Sequence, residues 1–228
     1  MKSNIKLALI GKNIQHSKSG DFYKKELTRL DSYDLIDIKD EKQLPSLESL
    51  KNEYYGVNIT TPFKKYYLNQ VTTTVVAAKV GSINCIKLSE GFPAENTDYL
   101  ACLEILNIKI KKYNPVQVII LGSGTMAHIM MSVCESLNIK FIMLTRKDFP
   151  AFEQVDLSLY QQSIIVNCCS RDYCFQGKLP HKYAHFWDLN YNYPPHSYLS
   201  EVKTITYQDG LELLYLQAKK ALLFWGLN

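Results

Sequence analysis

The 228-residue sequence contains no apolar run as long as the roughly 20 residues that a membrane span requires. Its six cysteines, Cys85, Cys102, Cys134, Cys168, Cys169 and Cys174, include no CxxC pair. Zinc-ribbon and dithiol chemistry are therefore poor readings, and buried reduced thiols are expected. His181 and His185 have helical ligand spacing but no third ligand nearby, so no metal is expected. The net charge of +4 lacks the dense basic stripe of a nucleic-acid binder. The lysine pairs Lys24-Lys25, Lys64-Lys65, Lys111-Lys112 and Lys219-Lys220 are scattered and read as solvated helix faces. There is no internal repeat and no low-complexity tract. Lys2 and Lys6 flank only a short strand-like run rather than a secretory leader, so a cytoplasmic protein is expected. Its partners are expected to be small molecules, not nucleic acid or membrane, and it is expected to be a monomer or homodimer.

With 46% hydrophobic and 21% charged residues, the chain is expected to be globular rather than disordered, collagenous or coiled coil. Strand and helix patterns alternate along it. Residues 5–10 form an apolar run closed by Gly11, and helical spacing covers 19–30. A short strand at 34–38, a helix at 45–52 and a strand at 55–60 follow, and Thr61-Pro62 opens the next helix. Strand 82–88 precedes a longer helix over 97–112. Residues 116–121 are a continuous apolar run that suits a strand buried on both faces. Helix 124–137 and strand 139–144 complete a βαβ unit. Strands at 163–166 and 184–189 and an amphipathic helix at 209–225 end the chain. Such alternation predicts an α/β fold with parallel sheets covered by helices. The favoured division falls in the helix after Asp98: a first domain over 1–98, completed by 209–228, and a nucleotide-type domain over 99–208.

The sequence Leu121-Gly122-Ser123-Gly124-Thr125-Met126-Ala127 runs from a strand into a G-x-G-x-x-A turn and a helix. The first glycine permits a tight turn, the second lets backbone approach a pyrophosphate, and the small third residue allows close helix–strand packing. The amides of the helix N-terminus then face the phosphate charge. A glycine turn in an α/β fold that binds no nucleotide is the bland alternative. The next strand ends in Thr145-Arg146-Lys147, where an NAD-preferring site places an acid for the ribose hydroxyls. Arginine there can stack on adenine and pair with a 2′-phosphate, so NADP is favoured over NAD.

Four polar segments precede this loop: His16-Ser17-Lys18-Ser19, Asn58-Ile59-Thr60-Thr61-Pro62-Phe63-Lys64, Gly81-Ser82-Ile83-Asn84 and Asn96-Thr97-Asp98. Each alone reads equally as a turn or helix cap; Lys64 alone reads as a surface lysine one turn into a helix. In this order before the glycine loop, they resemble the shikimate dehydrogenase family. That family carries H-S-x-S-P, N-V-T-x-P-x-K, G-A-x-N-T and N-T-D. It continues with a G-x-G-G loop, N-R-T, N-x-T/S and D-G-x-x-M-L-x-x-Q-A. The last three find counterparts in Thr145-Arg146, Asn167-Cys168-Cys169 and the run from Asp209-Gly210 to Gln217-Ala218.

The resemblance implies a substrate-binding α/β domain and a Rossmann-type NADP-binding domain with a cleft between them. It further implies reversible, NADP-dependent reduction of 3-dehydroshikimate to shikimate, on the route to chorismate and aromatic amino acids. Lys64 and Asp98 would form the catalytic pair, and Ser17 and Ser19 would hold the substrate carboxylate. Thr60, Asn84, Tyr191 and Gln217 would complete the substrate pocket. Gly122, Ser123, Gly124, Thr145, Arg146, Lys147, Asn167 and Gly210 would bind the cofactor. The chain departs from the family in several places. Gly20 replaces a proline, Thr125 and Met126 add bulk to the phosphate loop, and Cys85, Cys168 and Cys169 replace other small residues. The chain is also shorter than is usual for the family, mainly between Arg146 and Ser163, where a helix would normally fit. A second reading is therefore a weakly active or non-catalytic homologue that binds shikimate or quinate.

Overall fold

The alternating pattern becomes two sheets in a computed structural model that describes residues 5–182 and 184–227. Packing divides the chain into two units, Met1–Leu100 with Tyr215–Asn228, and Ala101–Leu214.

The first unit contains β1 (Ile5–Gly11), α1 (Ser19–Glu26), β2 (Leu30–Asp37), α2 (Leu47–Lys51), β3 (Gly56–Ile59), β4 (Thr72–Thr73), α3 (Val75–Val80), β5 (Cys85–Lys87) and β6 (Pro93–Glu95). Its sheet order is β2-β1-β3-β5-β6-β4. β1 is parallel to both β2 and β3, whereas β3–β5 and β5–β6 are antiparallel. The sheet is thus mixed rather than wholly parallel. The side chains of β1 alternate between two cores. Leu7 and Leu9 pack with Phe22, Tyr23, Ala221 and Trp225; Ala8 and Ile10 pack with Val57, Ile59, Tyr67 and Ile83. That two-sided burial explains why β1 reads as a continuous apolar run.

The second unit begins within α4 (Thr97–Tyr113) and continues through β7 (Gln117–Leu121), α5 (Thr125–Ser136), β8 (Phe141–Leu144), β9 (Ser163–Asn167), β10 (Ala184–Asp188) and β11 (Ile205–Gln208). The chain then enters α6 (Leu211–Trp225), whose later residues belong to the first unit. The strand order is β11-β10-β9-β7-β8, and every pairing is parallel. The chain moves outward from β7 in one direction to β8 and in the other to β9, β10 and β11. The fold is α/β with a Rossmann-type second unit. Its topological switch point lies between β7 and β9, and in such sheets ligands bind beyond the carboxyl ends of the strands there.

Two helix expectations change. The helix expected over 19–30 stops at Glu26, because Leu30 already pairs with Ile5 as the first residue of β2. The helix expected from Thr61 does not form. Phe63 N–H donates to Thr60 O and Tyr66 N–H to Phe63 O, closing successive short turns instead of a helical ladder. Between β8 and β9 the only helical turn is the 3₁₀ segment Phe152–Gln154. Phe152, Val155 and Leu157 from this irregular stretch are buried against Leu121, Leu144 and Ile165, covering the sheet where a helix would pack.

α6 docks on the first sheet through Trp225, whose Nε1 donates to Ile86 O at 3.0 Å. A Cβ on Gly56 would stand 2.5 Å from that nitrogen, so only glycine permits this approach. Among the described residues, no helix is long and apolar enough to cross a membrane. Nor does any cluster of three or more His, Cys, Asp or Glu residues have the makings of a metal site.

Candidate active site

In the first unit Lys64 lies in the turns that follow β3, not one turn into a helix. Its backbone oxygen accepts from Ile83 N–H at 2.8 Å, which fixes the turn against the residue preceding Asn84. Its Nζ donates to Asp98 Oδ2 at 2.7 Å, with only 7% and 13% of the two side chains exposed. Asp98 is the second residue of α4, where the helix N-terminus favours a carboxylate. Two charges this buried persist only when paired.

A polar network adjoins the pair. Asn84 Oδ1 accepts from Thr97 N–H at 2.7 Å, and Asn84 Nδ2 donates to Thr97 Oγ1 at 2.9 Å. Thr97 Oγ1 in turn lies 3.3 Å from Gln217 Oε1 on α6, to which it donates. Behind Asn84, Asn58 Nδ2 donates to the Asn84 backbone oxygen at 3.2 Å. Asn58 Oδ1 accepts from the hydroxyls of Tyr23, at 3.0 Å, and Tyr33, at 3.1 Å. Burial, reinforced by the neighbouring Tyr33, raises the Tyr23 phenol well above its usual pKa and keeps it a donor.

Ser17 and Ser19 share one turn at the start of α1. Ser17 Oγ accepts from Ser19 N–H at 3.3 Å, and the helix cap itself, Lys18, makes no side-chain capping bond. Thr60 follows β3 beside Gly11, where a Cβ would come 2.4 Å from Thr60 Cγ2. Gly20 has a steric reason to lack a side chain: a Cβ there would press on Tyr33 Cδ1 at 3.3 Å. The structure thus links Lys64 to Asp98, Asn84 to Gln217 and Ser17 to Ser19. Tyr191 belongs to the second unit, in the turn after β10, and its backbone oxygen accepts from Arg171 at 2.8 Å.

In the second unit Gly122 adopts φ +108°, and a Cβ on it would meet Cys169 Sγ at 3.1 Å. Gly124 caps α5, with no atom within 4 Å of where its Cβ would lie. The glycine turn is therefore open above the helix N-terminus, with backbone able to approach a phosphate, and these residues fit a dinucleotide. Thr145 shapes the turn after β8: its N–H and Oγ1 both donate to Asp148 Oδ2, at 3.0 and 2.8 Å. This engages the acid that follows β8. Arg146 and Lys147 are exposed, and the long 3.9 Å contact of Arg146 with Glu153 restrains the guanidinium little. Asn167 ends β9, and its Oδ1 accepts from Cys169 N–H at 3.1 Å. Gly210 N–H donates to Asn190 O at 3.0 Å, and a Cβ there would collide with Leu189 O at 2.2 Å.

The model of the shikimate dehydrogenase substrate-binding domain matches residues 9–86. That stretch contains Ser17, Ser19, Thr60, Lys64 and Asn84. Over that stretch the chain is similar to the shikimate dehydrogenase family. A protein named shikimate dehydrogenase (NADP(+)) from Clostridium botulinum is 27% identical, with 96% of each chain covered. One of the same name from Crocosphaera subtropica is 28% identical, covering 96% of this chain and 90% of that one. Among solved structures, shikimate dehydrogenase from Aquifex aeolicus matches with a TM-score of 0.79 at 21% identity, over 97% of this chain and 92% of its own. Shikimate 5-dehydrogenase from Thermus thermophilus, solved in complex with NADP(H) and shikimate, matches at 0.75 and 20% identity, over 97% and 93%. At these identities the structures show a shared fold.

Set against the family's motifs, several residues that complete these networks carry no signal in the sequence. Tyr23 and Tyr33 reach Asn58 across 35 and 25 residues. Thr97 is visible only as part of Asn96-Thr97-Asp98, although it joins Asn84 to Gln217. Asp188 and His196, buried in the second unit and 2.6 Å apart, belong to no segment that marks them as a pair.

Proposed function

We propose that this chain catalyses the reversible NADP-dependent reduction of 3-dehydroshikimate to shikimate. The observation that carries the reading is the buried Lys64–Asp98 contact at 2.7 Å, beside the Asn84–Thr97–Gln217 network. The names of the relatives support it. Bound NADP(H) supplies or accepts the hydride. In the reductive direction, the Lys64 ammonium donates to the ketone oxygen as negative charge develops, a bond that strengthens toward the transition state. Asp98 orients Lys64 and accepts from a ring hydroxyl. Asn84, Thr60 and Gln217 bind the remaining hydroxyls, Ser17 and Ser19 receive the carboxylate, and Tyr191 is a further substrate-binding residue. The first unit is the substrate domain, with α6 completing it, and the second is the NADP domain.

Gly122, Ser123 and Gly124 hold the diphosphate with the first amides of α5. Asn167 and Gly210 shape the nicotinamide side, and Thr145, Arg146 and Lys147 receive the 2′-phosphate. The test is oxidation of shikimate followed by the absorbance of reduced cofactor. Turnover should appear with NADP⁺ and be weaker with NAD⁺, and Arg146→Ala should raise KM for NADP⁺ more than for NAD⁺. No turnover with either cofactor, in protein that still binds shikimate, would overturn the enzymatic reading and leave the binding homologue.

The two serines give a separate result. Replacing both Ser17 and Ser19 with Ala should raise the shikimate dissociation constant at least tenfold, leaving NADP binding unchanged. A lost hydrogen bond to a charged group costs about 1.5–3 kcal/mol. Titration of folded variant protein decides: unchanged affinity with a lowered thermal midpoint would make the serines helix-start residues only.

A further inference from the structure

We infer that His196 and Asp188 form a positioning pair that sets the shape of the dinucleotide-binding turns; this rests on the second unit binding NADP(H). Both side chains are fully buried, and Nδ1 of His196 lies 2.6 Å from Asp188 Oδ2. Phe175 N–H donates to His196 Nε2 at 2.8 Å. Nε2 therefore presents a lone pair, and the ring carries its proton on Nδ1, where it is donated to Asp188. The rings of Tyr193, Tyr173 and Phe186 fix the imidazole edge-on or at a steep tilt.

Asp188 ends β10, directly across from Asn167 at the end of β9. With Oδ2 held by His196, Oδ1 accepts from Asn167 Nδ2 at 2.9 Å and from the backbone N–H of Asn190 at 2.9 Å. The arrangement then propagates outward. Asn167 Oδ1 accepts from Cys169 N–H, and Cys169 O accepts from Asn190 Nδ2 at 3.2 Å. The Cys169 sulfur closes on the Gly122 turn, while Asn190 O accepts from Gly210 N–H. One carboxylate, oriented by one imidazole, thus ties together the turns that carry Gly122, Asn167 and Gly210. These lie at the carboxyl ends of β7, β9 and β11, where such sheets receive ligands. A carboxylate buried for packing alone would be costly, since an apolar pair of similar size serves as well.

Two substitutions separate positioning from packing. His196→Asn places an amide near the Nδ1 position and keeps a donor toward Asp188. His196→Gln reaches the Nε2 position, accepts from Phe175 N–H and loses that donor. NADPH binding, followed by cofactor fluorescence, should stay within about threefold of wild type in His196→Asn and weaken tenfold or more in His196→Gln. Shikimate affinity should be unchanged in both. Equal NADPH affinity in both variants, in a wild type that binds NADPH, would overturn the pair alone. A wild type that binds shikimate but no NADPH would overturn the proposed function and this inference with it. If His196→Gln fails to fold, nitrogen-edited NMR of the wild type decides. The expected result is a hydrogen-bonded Nδ1–H whose resonance moves on NADPH addition, together with the Asn167 and Asn190 side-chain amides. Amides unmoved by bound NADPH would overturn the inference.

Discussion

Lys64→Ala should lower kcat for shikimate oxidation by about 10²–10⁴-fold, the usual worth of a positioned proton-transfer group, with the shikimate dissociation constant within about threefold of wild type. The split follows from the geometry. Lys64 is held by Asp98 at 2.7 Å in a nearly water-free setting, whereas the candidate hydroxyl-binding groups Asn84 and Gln217 are held by Thr97. Removing the ammonium leaves these latter contacts in place and takes away the donor that matters most when the oxygen is charged. The substitution also strands the Asp98 carboxylate, and breaking a buried pair from one side costs roughly 3–5 kcal/mol. Thermal midpoints must therefore be measured alongside the kinetics. The double variant with Asp98→Asn should recover stability without recovering turnover. Partial recovery of kcat by added alkylamines in Lys64→Ala would mark the missing ammonium. A Lys64→Ala protein turning over near the wild-type rate removes Lys64 from the chemistry.

How much of this arrangement the sequence displays depends on how local its causes are. β1 and β7 are buried on both faces and appear as apolar runs, and the glycine turn sits at a strand–helix junction that the run itself marks. The mixed pairing of the first sheet is invisible by contrast. β4 has two residues and β6 has three, and their pairing is made by partners about 20 positions apart. α3 carries a signal that periodicity overlooks: Thr74 Oγ1 accepts from Ala77 N–H at 3.1 Å at its start, and Gly81 closes it at φ +65°. Residue types and order alone single out Lys64 and Asp98, but the local conformation of Lys64 that reads as helix is in fact a chain of turns. The second layer of groups depends on tertiary approach. Asn58 is held by two tyrosines from other elements, and Asp188 by a histidine beyond Pro194-Pro195. Gly20, a departure from the family's proline, becomes intelligible only once Tyr33 is seen against it.

Acid should destabilise the protein through His185, and the effect should be large. The ring is 2% exposed and stacks on Tyr113, with ring centres 4.6 Å apart and planes 16° from parallel. Neither ring nitrogen is held in a well-formed hydrogen bond. Burial first, and then the charges of Lys109 and Lys112, push its pKa down to about 3, while the backbone of Thr206 pulls weakly the other way. In the unfolded chain the same imidazole titrates near its ordinary value, about 6.5. Above that pH neither state holds the proton, and burial of the neutral ring carries no titration penalty. Between about 6.5 and 3 the unfolded chain binds a proton that the folded chain refuses, so stability falls as pH falls, by about 1.4 kcal/mol per unit. Near pH 4.5 the loss from this residue should be about 2–3 kcal/mol. His185→Phe keeps an aromatic ring against Tyr113 and removes the titration. Urea unfolding of both proteins at pH 7 and pH 4.5 isolates the contribution, because the carboxylates titrate alike in the two. The variant should lose about 2–3 kcal/mol less than wild type on going to the lower pH. Equal losses would mean that the folded protein protonates His185 as readily as the unfolded chain does, and the acid sensitivity would have to come from the carboxylates.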